Sequence, residues 1–91
     1  MIKPTIHMNG TSARDLALRF EEAATAIFRA REALMLAGPN ARDYYPQGDQ
    51  AYQQARREHD VRAKALMDAE HDMQALAEYV QEQDELKNRT R

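Results

Sequence analysis

Ninety-one residues at 10.5 kDa allow one small domain, 1–91, and 31% charged with 43% hydrophobic residues is an ordinary composition for a soluble helical chain. Thirteen Lys and Arg against fifteen Asp and Glu leave a formal charge of −2, which excludes an overall basic field for capturing nucleic acid and is too small an acidic excess for a DNA mimic. The absence of cysteine excludes a disulfide framework, a thiolate zinc site and a cysteine nucleophile.

Sixteen alanines and only three glycines and three prolines, the breakers confined to positions 4–10 and 38–48, divide the chain into a head, a helix, a loop and a longer helix. In the head, 1–11, Ile2, Pro4, Ile6 and Met8 recur at every second residue, the spacing of an extended segment with one apolar side, and Asn9-Gly10 ends it as a turn. Ser12 is the expected N-cap of the first helix, with Asp15 placed to complete a capping box. Leu16, Phe20, Ala23, Ile27, Ala30, Leu34 and Ala37 then follow a heptad seam, so a helix is predicted over about 12–37. Gly38-Pro39-Asn40 stops it, with Gly38 expected in the left-handed conformation.

The loop, 38–47, contains PNARDYYPQ, and the second helix is predicted over about 48–87. Its seam is Tyr52, Ala55, His59, Arg62, Leu66, Ala69, Met73, Leu76 and Val80. Residues 88–91 read as a frayed tail. The fold expected is therefore all-α: an antiparallel two-helix hairpin with a short extended N-terminal segment. The second helix is the longer one and is expected to overhang at Leu76, Ala77, Tyr79 and Val80, needing cover from the head or another subunit. The first helix carries a second apolar stripe, Ala17, Ala24, Phe28 and Met35, wider than one partner helix covers. A homo-oligomeric helical bundle of coiled-coil type follows; a twofold dimer is the commonest closure and a higher ring the alternative.

Glycine-rich phosphate loops, HExxH and serine elbows are absent from the sequence, so the expectation is a chain that is not an enzyme and uses no cofactor. Of the three histidines only Asp68-x-x-His71 has one-turn spacing, and a solvated face accounts for Asp68, Glu70, His71 and Asp72, so no metal is assigned. The anomaly is His59 and Arg62, polar residues at consecutive seam positions. If Leu34 faces Tyr52, both face residues 23–27, where small side chains leave room. One account pairs Arg62 with Glu58, Glu21 or Glu22 and lets His59 fill a core position. The other makes Arg62 and His59, with Arg56, Arg57 and Lys64 nearby, the floor of an anion site. Arg42, Tyr44, Tyr45 and Tyr52 add a guanidinium and three phenols, a mixture suited to a nucleobase and a phosphate. The plainer alternative is a packed loop in which Asp43 pairs Arg42. The second helix is net basic over 56–64 and acidic over 70–85, halves that can pair across subunits of an antiparallel oligomer.

IHMNGTS at 6–12, PNARDYYPQG at 39–48 and EHDVR at 58–62 together resemble small accessory proteins encoded in tailed-phage and prophage genomes. The resemblance spans most of the chain and implies a setting, the bacterial host cytoplasm. The start MIKPTIHMNG has no apolar signal-peptide core, and the longest apolar run, 33–37, is far short of a membrane span. In format the chain is also similar to phage helical oligomers that act as anti-defence sponges for the cyclic oligonucleotide or cyclic ADP-ribose signals of CBASS and Thoeris. What this implies is a non-enzymatic homo-oligomer sequestering a small anionic nucleotide, with Arg62 and His59 on phosphate, Arg42 and Arg57 closing the site, and Tyr44, Tyr45 or Tyr52 stacking on a base. The alternative is an inhibitor that binds a host defence or regulatory protein through its helical surface, and a third is an assembly role in the virion.

Overall fold

The computed structural model describes residues 1–89, and its helices are α1, Ala13–Leu36; α2, Ala41–Tyr44; a 3-10 turn, Tyr45–Gln47; and α3, Asp49–Arg89. The fold is all-helical, with no strand among the described residues. It departs from the expected two-helix hairpin because the connection is itself helical. Asn40 caps α2 by accepting from the backbone N–H of Arg42 at 3.0 Å, so residues 38–47 form ordered turns in place of an open loop. Asn88 and Arg89, expected to fray, continue α3, while 90 and 91 lie outside the described residues.

Ser12 Oγ accepts from the Asp15 N–H at 3.1 Å, which satisfies one orphan donor of α1. The reciprocal arm of a capping box is not formed. At the other end Ala37 caps the helix at φ −92°, its N–H shared among the carbonyls of Ala33, Leu34 and Met35. Gly38 does not adopt the expected left-handed conformation; Gly48 is the glycine with positive φ, at 96° with ψ 166°. That region of backbone space is nearly closed to side-chain-bearing residues. A Cβ at Gly48 would meet nothing within 4 Å, so Gly48→Ala tests backbone strain alone. A loss of about 1–3 kcal/mol is expected in urea unfolding, and an unchanged midpoint would show that the connection rearranges freely.

α1 lies antiparallel along α3, with Arg31 paired to Glu70, Glu21 to Gln81, and Gly38 beside the His59 ring. Leu34 and Met67 line one groove, so Leu34 sits about fifteen residues, or four turns, from its expected neighbour Tyr52. The cause is the helical connection. Continuing the line of α1, it runs back along the first turns of α3: Gly38 at His59, then Tyr44 at Tyr52. The overhang of α3 is therefore at its N-terminal end. Leu76, Ala77 and Val80, expected to overhang, lie beside α1 and are buried.

The head reaches the far end of the rod. Ile6 packs with Leu16, Phe20 and Tyr79 against a core of Ala13, Ala17 and Val80, and Lys3 Nζ lies 4.8 Å from the centre of the Tyr79 ring. The alternation expected of the head is only half realised, because Ile2 and Met8 stand almost fully exposed. The result is a rod of 68 × 20 × 20 Å in which, among the described residues, six hydrophobic residues are buried and Val80 alone is a fully buried side chain.

Candidate functional site

The residues expected to hold a ligand divide among three places. The first is an aromatic step at the connection. Tyr44, ending α2, and Tyr52, one turn into α3, hold their rings 6.4 Å apart and tilted by 43°. Arg56, one turn on, donates from Nη1 to the Tyr52 hydroxyl at 3.3 Å. That hydrogen bond, with the Coulombic contributions of Tyr52 and Asp60, raises Arg56 above its ordinary value. Tyr45 does not join the pair. The 3-10 turn directs it into solvent, 84% exposed, and Arg42 is exposed beside it, with no ion pair to Asp43.

The second place is the outer surface of α3. Arg57 donates from Nε and Nη2 to Gln54 Oε1 at 3.1 and 2.7 Å, and Gln54 in turn donates to Glu58 at 3.2 Å. Arg57 is two residues from His59 and so lies about 160° around the helix from it. Arg62, expected at the seam, is exposed, and Ala63 takes the inward position; none of Glu58, Glu21 and Glu22 pairs with Arg62. The expected position of Arg62 opposite residues 23–27 falls with the register. Lys64 is committed to Asp68 at 2.8 Å one turn on, both exposed.

The third place is a groove between α1 and α3, and it receives His59. A lobe of about 280 Å³ is lined by Leu34, Met35, Ala63 and Met67, with Arg31, His59, Asp60 and Lys64 around it. His59 is half-buried beside Gly38, where a Cβ would come within 3.4 Å of its Nε2. Along the same edge are two more lobes, about 370 Å³ around Ala24, Thr25 and Ala77 and about 450 Å³ around Ala17, Leu18 and Gln81. From residue 13 to residue 35 of α1 the groove runs about 33 Å. Leu18, Phe28 and Met35 stand along its α1 side, 51, 48 and 76% exposed. At the end away from the connection Glu21, Glu78 and Asp84 outnumber Arg14, leaving an acidic excess.

Behind this groove is the feature that sequence reasoning missed. Glu70, assigned to a solvated face with Asp68, His71 and Asp72, is the one buried charged residue among those described, and its Oε1 accepts from Arg31 Nη1 of α1. The other three are exposed, as expected. A signal was present: Arg31 and Glu70 each lie one residue beyond a seam position, Ala30 and Ala69, and both turn inward once the contact between the helices is rotated by a fraction of a turn.

No protein-family model, curated protein or solved structure matches the chain. No helix among the described residues is long and apolar enough to cross a membrane.

Proposed function

We propose that this chain is a non-enzymatic binding protein, and that it acts by holding an amphipathic helix of a partner protein in the groove between α1 and α3. The observation that carries this reading is the line Leu18, Phe28 and Met35 along one edge of a 33 Å groove. Three large apolar side chains, 48 to 76% exposed along one side of α1, form the kind of surface that a helix-in-groove interaction uses. About twenty residues of helix fill that length. The acidic end at Glu21, Glu78 and Asp84 favours a partner helix carrying basic residues there. In the phage setting that the sequence motifs imply, the partner is a host protein and the activity is its occupation. Sequestration of a cyclic nucleotide has less support. Arg42, Arg57, Arg62 and His59 diverge within one protomer, so such a site would need a second copy to complete it.

Replacing Phe28 and Met35 together by Glu tests the groove. One protein is expected to co-purify in stoichiometric amount with the wild type and to be lost from the variant, while the helical content of the variant is unchanged. The same proteins with both forms, or none with either, would overturn the reading.

A further inference from the structure

The groove is one face of a two-helix layer; the opposite face is also apolar. The heptad seams of α1 and α3 do not point at each other. In α1 the contact with α3 uses 17, 24 and 31 where the seam has 16, 23 and 30. In α3 it uses 63, 70 and 77 where the seam has 62, 69 and 76. Burial is weighted toward the displaced set: Ala17, Ala24, Glu70 and Ala77 are buried and Arg31 and Ala63 half-buried, whereas of the seam positions Leu76 is buried, Leu16, Ala23 and Ala69 are half-buried, and Ala30 and Arg62 are exposed. Half of each seam is shared with the contact and half is displaced by one residue, so each seam is rotated by about 50° from its neighbour, half of the 100° step per residue. Both rotations are toward the face away from the groove. Seams aimed between the neighbouring helix and a third direction are the pattern of a four-helix bundle. The head covers one end of this face through Ile6, near Leu16 and Tyr79, and leaves its centre open.

Charge decides what lies on it. Residues 29–64, the half of the rod at the connection, carry seven Lys and Arg against five Asp and Glu; the other described residues carry five against ten. The rod is thus positive at one end and negative at the other. A second copy stacked antiparallel opposes unlike ends, and a parallel one superimposes like ends. Packed helices stand 8–10 Å apart, close to the Debye length at physiological salt, so the difference is only partly screened.

We infer that the face bearing Ala23, Ile27, Ala30, Leu66, Ala69 and Met73 is covered by the same face of a second copy, related by a twofold axis across the rod. The product is an antiparallel four-helix bundle with both grooves left outside. This surface is separate from the groove of the proposed function, and either can fail without the other.

The chain has no cysteine, so Gln53→Cys, exposed near the start of α3, takes a single spin label. Sedimentation is expected to give twice the 10.5 kDa protomer. Pulsed dipolar spectroscopy should place the labels about 50 Å apart, since residue 53 is about sixteen residues of helix from an axis near residue 69. A parallel bundle would bring them within about 30 Å, and that result overturns the orientation. Ala69→Arg should raise the dimer dissociation constant about a hundred-fold with helicity retained, whereas Phe28→Glu, on the groove side, should leave it unchanged. A wild-type monomer at 100 µM, or equal weakening by both substitutions, overturns the face. Should Ala69→Arg fail to fold, the label distance in the otherwise wild-type chain decides alone.

Discussion

Val80→Asp is expected to abolish cooperative unfolding and most of the far-ultraviolet helical signal at 25 °C. Val80 is the one fully buried side chain among the described residues, and it joins three segments far apart in the chain: Ala13 and Ala17 of α1, Ile6 of the head, and its own α3 with Tyr79. A carboxylate there is buried among the apolar side chains of Ala13, Ala17 and Ile6, and burying a charge costs several kcal/mol. A single small core without disulfide or metal rarely holds more than about 3–5 kcal/mol, so the substitution removes most or all of the margin. Val80→Ala separates polarity from volume. It deletes two methyl groups, worth about 0.8 kcal/mol each plus a cavity contribution, and should cost about 2 kcal/mol while leaving a cooperative transition. A folded Val80→Asp protein melting within a few degrees of the wild type would show that this cluster does not hold the head and both helices together.

That cluster also shows what the sequence could and could not convey. Periodicity and breakers located α1 and α3 within two residues at each described boundary, because alanine-rich heptads between glycine and proline leave few other choices. The register escaped because it depends on the connection. PNARDYYPQ reads as turn residues, yet Asn40 caps a short helix and Gly48 takes positive φ, and together they carry the chain back along α3 before it reverses. A seam made largely of alanine imposes little of its own, since small side chains fit one another at several offsets. The candidate ligand residues were drawn from that unregistered seam. His59 turned inward as its position required, but Arg62 stands just past the edge of the contact, and a step of one residue turns a helix position by 100°. Tyr44 and Tyr52 met because they flank the reversal, a proximity that follows from the chain path whatever the register.

Arg31→Ala is expected to destabilise the fold by about 2 kcal/mol, measured by urea or thermal unfolding. Glu70 is 6% exposed, and without Arg31 its carboxylate is buried without the cation it is paired to. Loss of one partner of a fully buried pair costs about 3–5 kcal/mol; the smaller figure here reflects the Arg31 side chain, a third exposed and reached by solvent that screens the pair. The double variant Arg31→Met with Glu70→Leu should recover most of the loss, because an apolar pair removes the charge as well as its partner. The cycle then separates the cost of stranding Glu70 from any net benefit of the pair. A benefit other than stability follows from its position. Joining residues 31 and 70 across an alanine-rich interface, the pair penalises every slid register, in which both charges would meet apolar positions. In the double variant the label distance between Glu22→Cys on α1 and Gln74→Cys on α3, both exposed, should broaden or split although the unfolding midpoint returns toward that of the wild type. A single sharp distance in that background would transfer the control of register to the connection at Asn40 and Gly48, where Gly48→Ala would then be the substitution that moves it.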